Sequence, residues 1–179
     1  DLLDEDEGLG ELVAGDVGGR LGEQALLVGL GAGDQLDDGH DLRVRVVGEF
    51  ADRGYETAIH ERVCRLCLAE RVEFVGFVGD VRTEMSARDV FTLPSLYGEG
   101  MPLALLEAMA GARPIVASDI PGVRELLADG AAVLVPPASS VSLADGIGRL
   151  LTNPRSAKAL GAAARRRQQE RYSVESMQN

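Results

Sequence analysis

From Leu42 onward the apolar positions fall into short runs alternating with stretches of helical spacing. Leu42–Val47 (LRVRVV) reads as a strand ending at Gly48. Tyr55–Ala69 has helical periodicity, with Ile59, Val63, Leu66 and Cys67 on one face. Val72–Val75 is a short strand closing on Gly76, and Asp80 can cap a helix running to Ala87. Val90–Leu93 is a strand ended by Pro94 and Ser95, followed by a helix over Pro102–Ala110 that stops near Gly111. Pro114–Ala117 is a strand, and Pro121 suits the first turn of a helix to Leu127. Ala132–Val135 is a strand ended by two prolines. Val141–Leu151 and Pro154–Tyr172 are helices, the second with Asn153 as its cap.

Short apolar strands alternating with helices predict an α/β fold, a parallel sheet covered by helices on both faces. Ligands in such sheets bind at the carboxyl ends of the strands. That rule selects the loops after residues 47, 75, 93, 117 and 135.

Residues 1–41 read differently. They hold ten of the 22 glycines, and Glu23–Leu30 fits a helix or a strand. This acidic, Gly-rich segment is expected to pack loosely, as a degraded first β-α unit. Residues 42–179 form the folded domain. Gly29-Leu30-Gly31-Ala32-Gly33, with Glu49 twenty residues after Gly29, imitates a dinucleotide-binding fingerprint. Only Asp34–Asp41 separate those glycines from Leu42, and a parallel crossover needs a dozen residues or more. The fingerprint is therefore set aside.

Charge sharpens this division. Residues 1–41 carry twelve acids and one base, Arg20, while residues 42–179 carry seventeen of each, so the net charge of −11 belongs wholly to the first segment. A phosphate-backbone partner needs a basic surface, so nucleic acid is excluded. Arg165, Arg166 and Arg167 form the one basic run and read as a solvated helix face. His60, Cys64 and Cys67 share a helix face, but a closed zinc site takes four ligands and no second pair exists. Half-buried packing is the expectation for both cysteines, and no metal is expected. Unpaired cysteines and the lack of an 18-residue apolar run fit a cytoplasmic protein. The chain opens on Asp1, which fits an excised piece.

The chemistry lies in Pro94–Ala110, PSLYGEGMPLALLEAMA. Glu99 and Glu107 stand eight apart. With Pro102 at the first helical position, Leu103 and Ala104 offer free backbone N–H groups, and Gly100 lets the chain come close to a ligand. Such a helix start favours an anion through its amides and its dipole. Glu107 lies about 7.5 Å farther along the axis, at ~1.5 Å per residue. Carboxylates do not bind phosphate but accept hydrogen bonds from hydroxyls. Two of them on either side of an anion site match a nucleotide sugar, a diphosphate with sugar hydroxyls on both sides.

EGMPLALLEAMA followed by Gly111-Ala112-Arg113-Pro114-Ile115-Val116-Ala117-Ser118-Asp119 resembles the donor-site signature of family 4 retaining glycosyltransferases of the GT-B type. Val46-Val47-Gly48-Glu49, Arg71–Val78, Val133–Pro137 and Leu160–Glu175 resemble further family motifs in the same order, so the likeness covers nearly all of residues 42–177. It implies a Rossmann-like C-terminal half of a GT-B enzyme, with the acceptor-binding N-terminal domain missing. It implies that Glu107 binds ribose hydroxyls, and that Glu99 binds the transferred sugar and favours positive charge at its anomeric carbon. Gly100, Met101, Pro102, Leu103 and Ala104 would hold sugar and diphosphate, and Gly76, Phe77 and Val78 would frame the base. The implied donor is a nucleotide-diphosphate sugar with no cofactor, and the full enzyme could associate with a membrane through the missing domain.

Two features of the sequence depart from the family pattern. Its first loop carries an Arg and a Lys aimed at the diphosphate. Here Val17-Gly18-Gly19-Arg20-Leu21 matches only the Arg part, making Arg20 the candidate cation, and the one lysine is Lys158. Gly98 lengthens the loop before Glu99 by one residue. The expected function is sugar transfer with retained configuration, by a fragment inactive alone. The alternatives are a non-catalytic or degenerate nucleotide-binding module, and a nucleotide-sugar epimerase, for which the site offers no histidine.

Overall fold

The structure is a computed structural model. It describes residues 42–50, 52–86, 88–96, 100–173 and 176, and the backbone of 25–30. In chain order the elements are β1 (Ala25–Leu30), β2 (Leu42–Val47), α1 (Arg53–Arg65), β3 (Val72–Gly76), α2 (Val81–Ser86) and β4 (Val90–Leu93). There follow α3 (Leu103–Ala110), β5 (Ile115–Ser118), α4 (Pro121–Leu126), β6 (Val133–Val135), α5 (Ser140–Leu151) and α6 (Pro154–Arg171). The strands form one six-stranded sheet in the order β3-β2-β1-β4-β5-β6.

Strand alternation divides the core in two. Val44, Val46, Val90 and Val116 face Ile59 and Val63 of α1 and Leu143, Ile147 and Leu150 of α5. Val47, Phe91, Leu93, Ile115 and Ala117 face Met85 of α2, Leu105 and Met109 of α3, Val123 of α4 and Ala164 of α6. Helices thus cover both faces, as the pattern of runs requires. Full burial of a side chain such as Phe91 or Ile115 contributes about 1.5–3 kcal/mol. A register shift between Val46 and Val47 bends the end of β2, where Val47 pairs with Gly76.

β2 with β3, β4 with β5, and β5 with β6 pair in parallel, as expected from Leu42 onward. β1 is the exception: within the segment expected to pack loosely, Ala25–Leu30 form a strand, and residues 1–24 and 31–41 lie outside the described residues. This strand fills the centre of the sheet, antiparallel to β2 and to β4. An apolar run, ALLVGL, can satisfy its backbone on both edges there. Its direction follows from the connection: Leu30 lies opposite Leu42, and so short a link can join antiparallel neighbours but not parallel ones. Gly29 and Leu30 therefore sit at the amino end of β2, away from the ligand edge, and the glycine fingerprint has no parallel crossover to serve.

Three local expectations are corrected. α1 runs over Arg53–Arg65 rather than Tyr55–Ala69, because the Asp52 carboxylate caps it by accepting from Tyr55 N–H at 2.7 Å. It stops early because Cys67 turns left-handed (φ 56°), with Leu68 N–H donating to Val63 C=O at 3.0 Å. Both cysteines are consequently exposed and free, not half-buried. Of the arginine run, Arg165 and Arg166 are exposed, but Arg167 is not part of a solvated face. Its guanidinium donates to Leu126 C=O at 2.7 Å, Glu125 C=O at 2.8 Å and the Asp129 carboxylate at 2.6 Å, closing the end of α4.

Candidate functional site

The carboxyl ends of the parallel strands gather the loops that the sheet rule selects. β2 ends at Gly48 (φ 117°) and β3 at Gly76 (φ 72°), backbone conformations that favour glycine. The Gly48 N–H donates to Gly76 C=O at 2.8 Å and ties the two loops together. Gly76 carries no atom within 4 Å of a would-be Cβ, so its role is conformational. Phe77 beyond it is 77% exposed, and Val78 is half-buried. Asp80 closes this loop by capping α2: its carboxylate accepts from the Thr83 hydroxyl at 2.8 Å and the Arg82 N–H at 3.1 Å. The Thr83 bond leads in holding Asp80 below the usual carboxylate range.

β4 leads through Pro94, Ser95 and Leu96 towards α3. Pro102 stands at the N-cap of α3, not at its first helical position, because its ψ of 119° is extended and the chain turns helical only at Leu103. Pro102 itself makes no side-chain capping hydrogen bond. The Pro102 C=O accepts from Leu105 N–H at 3.1 Å and Leu106 N–H at 3.3 Å. The Leu103 and Ala104 amides have no acceptor among the described residues, so the helix presents donors where an anion would sit. Leu105, Ala108 and Met109 anchor α3 to the sheet. Leu103, Glu107 and Ala110 form its exposed stripe, with Met101 also exposed in front of it. Glu107 is thus one turn, about 6 Å, from the free amides on the outward face.

β5 and β6 complete this edge. Asp119 follows β5, its N–H donating to Val135 C=O at 2.8 Å. Arg124 of α4 donates to the Asp119 carboxylate at 2.6 Å, which holds that carboxyl below its usual range and raises Arg124. Pro94, Ser118, Val135, Pro136, Ala138, Ser139 and Leu143 line a shallow open depression. The sheet rule pointed to these last two loops, but no residue in them was singled out from sequence.

The structure therefore brings Gly76, Phe77, Val78, Gly100, Met101, Pro102, Leu103, Ala104 and Glu107 to one edge of the sheet. Glu99 and Arg20 lie outside the described residues, as do Tyr97 and Gly98. β3 and β4 are three strand spacings apart, about 14 Å, so a ligand touching both loops must be extended. Among the described residues the carboxyl-edge loops carry Glu49, Asp52, Asp80 and Asp119 but no Lys or Arg. None of the described residues forms a group of three or more His, Cys, Asp or Glu able to hold a metal ion, and no described helix is long and apolar enough to cross a membrane.

Residues 17–153 match the family model described as glycosyl transferases group 1. Over 116 residues the chain is 36% identical to the phosphatidyl-myo-inositol mannosyltransferase of Mycobacterium leprae, a match that covers 63% of this chain and 29% of that protein. It is similar to the crystal structure of Anabaena Alr3699/HepE in complex with UDP-glucose, with a TM-score of 0.70 and 28% identity over 74% of this chain and 38% of that one. Sucrose-phosphate synthase from Thermosynechococcus elongatus aligns with a TM-score of 0.66 and 28% identity over 99% of this chain and 41% of that one. The chain spans less than half the length of these relatives.

Proposed function

This chain belongs to the glycosyl transferases group 1 family, and from that premise we propose that it is the donor-binding half of a retaining hexosyltransferase. The donor is a nucleotide-diphosphate sugar, and a separate N-terminal domain supplies the acceptor. The observation that carries this reading is the meeting, at the carboxyl edge of the sheet, of α3 amides that have no acceptor among the described residues with Glu107 one turn along the same helix. UDP-glucose in the HepE complex is a ligand of the class such a site would take.

The roles follow from the chemistry of each group. The Leu103 and Ala104 amides, with the helix dipole behind them, hold diphosphate oxygens. Gly100, Met101 and Pro102 bring the backbone beside the sugar. The Glu107 carboxylate accepts from the ribose hydroxyls. Gly76, Phe77 and Val78 frame the base at the other end of the edge. Glu99 accepts from the transferred sugar's hydroxyls and stabilises positive charge at its anomeric carbon. As the bond from that carbon to the diphosphate breaks, the departing phosphate oxygen takes the acceptor's proton. The acceptor oxygen then bonds to the face just vacated, which retains the configuration. Negative charge growing on the leaving group is stabilised by preorganised donors, so each donor counts heavily.

The absence of a second cation near the first strand, the one lysine being Lys158, favours a second reading, a non-catalytic nucleotide-binding module. The chain following an antiparallel β1 leaves at the amino edge of its neighbours, so a cationic loop placed after that strand does not meet the diphosphate, and Arg20, which precedes β1, is the one base of the first segment. Calorimetry with UDP, GDP and ADP, and turnover by a restored two-domain protein, separate the readings. Glu107→Ala should weaken the best-bound nucleoside diphosphate by about 1–3 kcal/mol. Glu99→Ala should leave nucleotide affinity nearly unchanged and abolish turnover. Binding without turnover in the parent two-domain protein selects the second reading, and indifference of binding and turnover to both substitutions removes the donor site altogether.

A further inference from the structure

The loop proposed to frame the base, Phe77–Asp80, joins β3 to α2, a short helix held by Met85, by partly buried Val81 and by its packing against α3. α2 has six residues, of which only Met85 is buried. Its Asp80 cap fixes the loop to α2 but does not fix α2 to the sheet. Arg45 supplies that second link. It lies on β2, in register with Glu73 of β3, and faces the same side of the sheet as α2. Its guanidinium pairs with the Glu73 carboxylate and with Glu84 of α2, the latter at 3.0 Å. The Arg45 and Glu84 side chains are only 17% and 22% exposed, whereas Glu73 is 61% exposed. The Glu73 contact is hydrogen-bonded but screened by solvent, whereas the Glu84 contact is a part-buried ion pair without a hydrogen bond from Nε, so the two together make the link.

We propose that Arg45 is a positioning residue for the nucleotide base, because its ion pair with Glu84 and its hydrogen bond to Glu73 on β3 together fix both ends of the Phe77–Asp80 loop. The proposal rests on the donor-site reading above. Without Arg45, two carboxylates face one another across the β3–α2 gap with no cation between them, and their repulsion moves α2 away from the sheet. The loop then loses its fixed shape, while α3, held by Leu105, Ala108 and Met109 in the core and chiefly by its packing against α6, keeps its own although it loses its lesser contact with α2. The effect is consequently confined to ligands that carry a base.

The test uses the full chain and two probes: whichever of UDP, GDP and ADP binds tightest, and inorganic diphosphate, followed by the Leu103 and Ala104 amide signals. Arg45→Met should raise the Kd of the nucleotide about tenfold and leave that of inorganic diphosphate within about twofold, in line with loss of one partly buried charge pair. Arg45→Met combined with Glu84→Met removes the stranded carboxylate and should restore nucleotide affinity to within about threefold, since an apolar replacement of a buried pair is close to neutral. If Arg45→Met does not fold, Glu84→Gln should weaken the nucleotide about threefold with the same sparing of diphosphate. Equal weakening of both probes, or unchanged nucleotide affinity with only a lowered Tm, overturns the positioning role. Failure of the parent chain to bind any of the three nucleotides instead overturns the donor site, and this proposal with it.

Discussion

The two halves of the sheet on either side of β1 are built differently. β4 and β5 are buried at every position and carry helices on both faces. β2 and β3 are buried at Val44, Val46, Val47 and Val72 only, and beside them α2 is tied down by an arginine between two carboxylates. Two helix ends show the contrast. α1 and α3 finish with the same pair of bonds: Cys67 N–H to Cys64 C=O and Leu68 N–H to Val63 C=O in one, Ala112 N–H to Met109 C=O and Arg113 N–H to Ala108 C=O in the other. Each puts a non-glycine residue in the left-handed region, Cys67 at 56° and Ala112 at 54°. Cys67 faces solvent, whereas the Ala112 carbonyl packs against Gly161 of α6. The lesson is a division of labour: a closely packed platform for α3, the proposed anion site, and a polar-linked rim for the loop proposed to frame the base.

Gly161 is the place to break the platform. A Cβ there would lie 2.1 Å from the Ala112 carbonyl oxygen and 2.9 Å from its carbon, and backbone atoms cannot move aside cheaply. Gly161→Ala should destabilise the fold by about 2–3 kcal/mol, read from urea unfolding. Gly148, also inside a helix, has nothing within 4 Å, so Gly148→Ala serves as control and should stabilise by about 0.5–1 kcal/mol. Equal effects at the two glycines would show that the close approach of Gly161 to Ala112 does not hold the platform together.

A smaller effect belongs to the other half. Cys67→Gly relieves the left-handed strain without touching a packed neighbour and should stabilise by about 1 kcal/mol in the same assay. A loss of stability would mean that Cys67 makes a contact its exposure hides.

The same difference decides what the sequence could tell. β4 and β2 are legible at their bounds because short apolar runs end on Pro94 and Gly48, residues that stop strands for local reasons. α1 is misplaced at both ends. Gly54 in its first turn reads as a loop residue although Asp52 caps the helix, and the left-handed turn falls on Cys67, where no glycine announces it. Likewise Gly111 signals the end of α3, yet the positive φ sits on Ala112. β1 is legible as an apolar run but not in its direction, because polarity is set by the partners on both sides. At the site, the glycines and the Met101–Glu107 run are legible because glycine, proline and an uncapped helix start have local meaning. Arg45 is not, since its value depends on Glu84, which reaches it from another element.

The central claim is that the start of α3 receives the diphosphate of a nucleotide. Its most direct test is amide hydrogen exchange at Leu103 and Ala104, with and without saturating nucleoside diphosphate. These amides have no acceptor among the described residues, so they should exchange fast in the free chain and slow at least about tenfold on binding, as a hydrogen bond to an anion forms. Unchanged exchange at both amides, with the nucleotide demonstrably bound, would contradict the account.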